Sequence, residues 1–207
     1  YSGEIAEIIS KYTRYNGRRK PELLSPETYS LVNYREVETV IGDFRNLTRQ
    51  AEEIYGKLPP ECRGAFYQLV LFPTKASALV NELYLTAGKN YLYAKQNRAA
   101  TNDMAAETQR LFQADTSLMG YYNRIFAGGK WNHFMDQAHL GYVSWRDPPV
   151  NSLQAIRLKT LVIPDEAFMG IALEGSEEAW PGSENEAALP EFDIFNNQTR
   201  YFEIFNK

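Results

Sequence analysis

The chain has 207 residues, of which 44% are hydrophobic and 23% are charged, and its formal net charge is −4. These values are typical of a packed globular chain, and the negative balance argues against nucleic acid as the main partner. The single cysteine, Cys62, excludes an internal disulfide framework, and with two histidines a metal centre built from protein ligands alone is disfavoured. The sequence lacks an apolar run near the roughly 20 residues of a membrane-spanning helix, so we expect no membrane partner.

The first 150 residues are predicted to be helical. Between residues 34 and 55, apolar side chains recur at steps of three and four, the spacing of one buried helix face. Pro73 lies inside another helical pattern and is expected to kink it, because proline cannot donate to the carbonyl four residues back. A helix start is also predicted at Ser25, where proline follows a capping residue. The main predicted helices cover residues 3–15, 34–55, 61–97, 99–126 and, as a short last one, 130–138.

The composition changes between about residues 147 and 160. Asp147-Pro148-Pro149 is a strong helix stop. Residues 160–207 carry ten acidic side chains against Arg200 and Lys207, a net charge of −8 that leaves +4 on residues 1–159. Short apolar and aromatic runs predict strands at 167–173, 192–195 and 201–205.

The predicted fold class is therefore mainly α, an up-and-down bundle of four to five helices followed by a short partial β segment. We predict two domains: a helical bundle over residues 1–150, and a linker with the truncated start of a β-sandwich over 151–207. Two or three short strands cannot cover both faces of a sheet. The tail is thus expected either to lean on the bundle or to be poorly ordered.

The stretch from residue 130 to 145 is the densest group of polar and aromatic side chains, with both histidines and two of the three tryptophans. On a helix, His133, Asp136 and His139 would be spaced by three, whereas a zinc-binding pair needs a spacing of four, so no metal ligand is assigned. Two interpretations stay open: a hydrogen-bonded cap with tryptophans in the core, or a rim that meets a carbohydrate or a neighbouring domain. The candidate contact residues are Lys130, Trp131, Asn132, His133 and Trp145.

The sequence indicates no catalytic constellation. A glycosidase needs two carboxyl groups at a defined separation, and here the acidic residues are scattered over predicted solvent faces, such as Glu52 and Glu53, or along the acidic tail. Gly128-Gly129-Lys130 lacks the spacing of a phosphate-binding loop. We predict no catalytic residue and no cofactor for these 207 residues.

Four stretches of the chain together carry a family resemblance. They are KYTRYNGRRKPELL (residues 11–24), FYQLVLFP (66–73), GKWNHFMDQ (129–137), and MGIALEGS (169–176) with LPEF (189–192). In this order they resemble glycoside hydrolase family 115, the xylan α-1,2-glucuronidases. The resemblance covers nearly the whole chain.

The resemblance implies a place within a larger enzyme. Members of that family are multidomain, with a catalytic barrel, a helical bundle and a C-terminal β-sandwich, and this chain would match the bundle and the opening of the sandwich. The family's catalytic carboxylates lie in the barrel, so no catalytic residue is carried over, and whether the chain is itself an enzyme stays open. The implied parent activity is removal of glucuronic or 4-O-methylglucuronic acid from xylan, in an exported, periplasmic bacterial protein.

The resemblance also implies partners. They are the barrel and sandwich domains of the parent chain and, through the parent, glucuronoxylan. Members of the family tend to dimerise, so a homodimer is an open alternative. A carbohydrate-contacting or protein-interaction bundle without enzyme activity is the alternative function.

Overall fold

The computed structural model describes residues 1–144 and 146–207, and it confirms a mainly α fold with a short β segment. Each of the three longest helices contacts another of them, and the first helix packs on the second. The helices are α1 (Ser2–Asn16), α2 (Glu36–Lys57), α3 (Pro60–Phe66), α4 (Phe72–Lys95) and α5 (Thr101–Arg124), and the strands are β1 (Met169–Leu173) and β2 (Phe202–Asn206).

Helix α2 forms where the apolar periodicity predicts it. Its stripe is buried, from Val37 and Val40 through Phe44 and Leu47 to Ile54. The helix begins at Glu36 and not at residue 34, because Tyr34 and Arg35 are in the left-handed region, with φ of 57° and 49°. Burial of each of these large side chains stabilises the fold by about 2 kcal/mol.

Helices α3 and α4 follow each other without a loop, but they are not one regular α-helix. The irregular turn lies just before Pro73, where the sequence predicts a disturbance. A π-helical turn over Tyr67–Leu71 joins them, in which the Phe72 N–H donates to the carbonyl of Tyr67, five residues back. Proline has no N–H to offer to the carbonyl of Leu69, and a π turn is a common way for a helix to absorb such a break. Helix α4 then runs through the middle of the bundle, with Leu83, Leu85 and Ala87 fully buried.

An aromatic cluster joins the π turn to the end of α5. The ring centroids of Phe72 and Tyr122 lie 4.2 Å apart, those of Tyr67 and Phe126 4.7 Å, and those of Tyr122 and Phe126 5.4 Å. Such pairs contribute about 0.5–1.5 kcal/mol beyond their buried area. Burial raises the pKa of Tyr67, so this hydroxyl keeps its proton. The cluster fixes the end of α5, from which the candidate loop departs.

The prediction that a helix starts at Ser25 is wrong. Ser25 and Thr28 instead close a tight turn, in which the Ser25 N–H donates to the Thr28 hydroxyl at 2.8 Å. This turn crosses α4 at Gly88, where a Cβ would lie 2.3 Å from the carbonyl oxygen of Pro26. The close approach therefore requires glycine at position 88.

The tail packs against the bundle. Strands β1 and β2 pair antiparallel, with Ile171 opposite Ile204, and residues 151–168 connect them to the bundle as turns and extended chain. The strand predicted at 192–195 is wrong, because the Asp193 carboxylate accepts the N–H groups of Phe195 (2.7 Å) and Asn196 (2.9 Å) and folds this stretch into a turn.

Arg98, in the α4–α5 connection, attaches the sheet to the bundle. It is 4% exposed and lies between the rings of Tyr93 and Phe205, at 4.3 and 4.2 Å from their centroids. Its guanidinium pairs with Glu203 at 2.6 Å, and Ala99 donates its N–H to the carbonyl of Asn206 at 2.8 Å. The sheet therefore has a fixed orientation on the helices.

Candidate functional site

The candidate loop begins with three successive left-handed residues after α5. Ala127, Gly128 and Gly129 have φ of 51°, 66° and 78°. The short helix predicted over 130–138 is wrong: residues 130–135 form turns, and His133 has a φ of 67°, which an α-helix cannot contain. His133, Asp136 and His139 therefore do not share a helix, and the spacing predicted for them on a helix face is wrong.

The predicted contact residues have separate roles. Trp131 is half-buried and packs on the aromatic core, with the Phe134 ring 5.6 Å away in an edge-to-face arrangement. The Lys130 ammonium lies 4.9 Å from the Trp131 ring centre, a cation–π contact. Asn132 and His133 are exposed. Trp145 lies outside the described residues.

His133 and Asp136 belong to a hydrogen-bonded chain that ties the loop to α5. The Nδ1 of His133 lies 2.6 Å from Asp136 Oδ2, and the Asn123 amide donates to Asp136 Oδ1 at 2.7 Å. The Asn123 oxygen in turn accepts the N–H of Met135 at 2.8 Å. A buried amide on α5 thus holds both a backbone and a side-chain group of the loop.

A second imidazole–carboxylate pair is buried. Asp115 on α5 is fully buried, and its two carboxylate oxygens lie 2.9 and 3.0 Å from His139 Nε2. Burial by itself lowers the pKa of His139, but the hydrogen bond and negative charge of Asp115 outweigh it, and the net pKa is raised. At neutral pH this pair is expected to carry a larger share of imidazolium than a free histidine would.

A cleft lies beside this pair, between α4, α5 and the loop. Its volume is about 340 Å³, at the small end of ligand pockets. Phe72, Val80 and Met119 line it from the helices, and Phe134 and Met135 from the loop. Of the five predicted contact residues, the four within the described chain lie outside this lining, although Phe134 is their immediate neighbour.

Carboxylates in the described ranges 1–144 and 146–207 do not assemble into a metal site. No group of three or more His, Cys, Asp or Glu side chains in these ranges lies close enough to hold a metal ion. Many acidic side chains are instead engaged in surface ion pairs, for example Glu52 with Lys75 at 2.6 Å and Glu53 with Arg49 at 2.6 Å. The helices of this described part are all too short or too polar to cross a bilayer.

Comparison with known proteins adds no relative: no protein-family model matches the sequence, and no curated protein matches it.

Sequence reasoning missed the buried amide side chains that hold loops and connections against the helices. Asn81, Asn90 and Asn123 are buried within helices, where asparagine is a poor helix former. That mismatch between residue type and position is the signal that could have identified them. Asn151 has a related role, because its oxygen accepts the N–H groups of His139 and Leu140 at 2.7 and 2.9 Å.

Proposed function

We propose that this chain is a non-catalytic helical segment of a xylan α-1,2-glucuronidase of glycoside hydrolase family 115. In that role it orients the catalytic barrel and the C-terminal domain of an exported, periplasmic enzyme, so that glucuronoxylan reaches the catalytic site. The sequence motifs motivate the family. The observation that carries the positioning role is the apolar outer face of the small sheet.

The outer face of the sheet is formed by side chains that share one side of the paired strands. Leu173 lies opposite Phe202 and Ile171 opposite Ile204, while Met169 continues the row. Phe202, Ile204 and Met169 are 57%, 63% and 63% exposed. A sheet face that lies in water normally carries polar residues, whereas this row is apolar. The row therefore has the composition of a face that another sheet covers.

The inner face of the same sheet is fixed to the helices. Gly170 and Ala172 are buried, and Phe205 and Glu203 contact Arg98. The Lys95 ammonium adds an ion pair with Glu177 at 2.9 Å, on the stretch that follows β1. Whatever packs on the outer face is therefore held at a defined angle to the bundle, which supports a positioning role.

A direct assay tests the proposal. The purified chain is expected to unfold cooperatively with a mainly helical circular dichroism spectrum, and to release no glucuronic acid from decorated xylo-oligosaccharides. The gene is expected to encode a barrel pattern upstream of Tyr1. Turnover above the buffer control would contradict the non-catalytic role, and a gene without a barrel would contradict the enzyme family.

A second candidate is a carbohydrate-contacting or protein-interaction bundle without enzyme activity. The exposed side chains of Asn132, His133 and Phe134 beside the half-buried Trp131 favour the carbohydrate version, because aromatic and polar groups together suit a sugar ring. It predicts a saturable change in tryptophan fluorescence with glucuronoxylan oligomers that is lost in Trp131→Phe. A flat response through the millimolar range would remove it.

A further inference from the structure

The cleft beside His139 is lined mainly by apolar side chains and has hydrogen-bond acceptors along one edge. Phe72, Val80 and Met119 form its helical wall, and Phe134 and Met135 cover it from the loop. Phe134 is 60% exposed although its ring stacks on Tyr122 at 6.2 Å. An apolar or aromatic group of a ligand would gain contact with these side chains and remove them from water.

Asn81 is the buried polar group in this lining. It is 5% exposed, and its Nδ2 donates to the carbonyl of Ser77 at 2.9 Å. A carbonyl can only accept, so the amide nitrogen must face Ser77 and the Oδ1 atom must face away. Within residues 1–144 and 146–207 this oxygen receives no hydrogen bond. This oxygen is open to solvent and not enclosed, so a ligand N–H or O–H that enters the cleft can donate to it.

Several side-chain donors along the cleft are engaged with protein acceptors. The amide of Gln137 and the hydroxyl of Tyr142 both donate to Asp147, at 2.8 Å each. The His139 ring nitrogens lie 2.9 Å from Asp115 and 3.2 Å from the Gln137 carbonyl. The hydrogen bond to Asp147 raises the pKa of Tyr142 to about 12, so this hydroxyl stays a donor at neutral pH.

The charge at the mouth of the cleft is negative. Glu22 lines it and is exposed, and its carboxylate forms no ion pair with the residues that the structure describes. Its charge is close enough to act on Tyr142. A ligand thus meets a carboxylate, a free amide oxygen and aromatic faces, all of which favour a positive charge that carries hydrogen-bond donors.

We propose that this cleft binds a small organic cation, a primary ammonium carried on an apolar body of aromatic size. The ammonium donates to Asn81 Oδ1 and is attracted by Glu22, while the apolar body packs against Phe72, Met119 and Phe134. A carboxylate ligand such as a uronic acid is repelled by Glu22. The site is separate from the proposed positioning role and stands or falls independently of it.

Titration of the full chain with 2-phenylethylammonium, followed by amide NMR shifts at Met135, Ala138 and Asn81, tests this site. Asn81→Leu keeps the side-chain volume and removes the acceptor, and it is expected to weaken binding about tenfold. Glu22→Gln changes an exposed residue and is expected to weaken binding about threefold without affecting folding. Glu4→Gln, an exposed carboxylate on α1 outside the cleft, is the matched control and should leave affinity unchanged.

Two further probes decide the chemistry. The carboxylate with the same body, 3-phenylpropionate, is expected to leave these amides unshifted. Equal or tighter binding of 3-phenylpropionate would overturn the proposal, as would unchanged affinity for the ammonium in both Asn81→Leu and Glu22→Gln. If xylobiose shifts the same amides and Asn81→Leu weakens its binding, the ligand of this cleft is a sugar and not a cation. That result would overturn the proposal as well.

Discussion

Replacing Asp115 with Asn is expected to lower the free energy of unfolding by about 3 kcal/mol near pH 6, and by about 1 kcal/mol near pH 9. Asp115 is fully buried and both of its oxygens face His139. The substitution keeps the shape of the side chain and removes its charge. What remains is a neutral hydrogen bond beside a largely buried imidazole.

The pH dependence follows from the direction of the histidine shift. Asp115 raises the pKa of His139 in the folded state above its unfolded value of about 6.5. The stability that the charged pair contributes is therefore complete below about pH 6.5 and is lost as the pH rises through the folded pKa. The difference between wild type and Asp115→Asn must shrink in that same window.

Urea unfolding at several pH values, with an NMR titration of the His139 ring, measures both effects. In Asp115→Asn, His139 stays buried but loses the negative charge that opposes the effect of burial on its pKa. The pKa of His139 should therefore fall below 6.5. His133→Asn is the control, because the His133–Asp136 pair has the same chemistry with side chains 79% and 53% exposed. It should cost less than about 0.5 kcal/mol. A pKa of His139 that stays raised in Asp115→Asn would contradict the assignment.

The parts of the fold that sequence predicts well depend on repeated local signals. The stripe of α2 and the interruption before Pro73 are set by residues within one or two turns, so periodicity and proline chemistry find them. The helix expected over 130–138 fails because Ala127, Gly128 and His133 have positive φ. Two of these are not glycine, and their conformation is imposed by tertiary contacts that a local pattern does not contain.

The sequence predicts that the tail is attracted to the bundle, but it does not predict which residues make the contacts. The excess of cations in residues 1–159 and of acids in 160–207 indicates attraction between the two parts. The structure shows where this attraction acts: Arg98 on Glu203 and Lys95 on Glu177 and Glu178. Which cation meets which acid depends on the direction in which the chain returns after α5, and composition carries no such information.

The candidate site shows the same limit. Sequence directs attention to the stretch from residue 130 to 145, because histidine, tryptophan and aspartate cluster there, but the expected helix would place His139 beside Asp136. Its true partner, Asp115, lies 24 positions earlier on α5. The cleft residue Asn81 is also distant in sequence, and only its poor fit to a helix interior distinguishes it beforehand.

Replacing Asn90 with Ala is expected to cost about 2–3 kcal/mol and to release the chain around Lys159. Asn90 is fully buried on α4, and its amide nitrogen donates to the carbonyls of Thr101 and Lys159 at 2.9 Å each. Its oxygen accepts the Lys159 N–H at 2.7 Å. One side chain thus joins α4, the start of α5 and the connection to the sheet.

Asn102 provides a matched control on the same segment. It holds Leu161 as Asn90 holds Lys159, through both backbone groups at 2.9 Å, but it is only half-buried and does not bridge a third element. Asn102→Ala should therefore cost about 1 kcal/mol. Amide exchange should accelerate most at Lys159 in Asn90→Ala and most at Leu161 in Asn102→Ala. Equal losses in the two variants, or a Lys159 amide that stays protected without Asn90, would show that this connection is held by its apolar contacts instead. The expected pattern would establish that buried helix asparagines set the path of the chain from the bundle to the sheet.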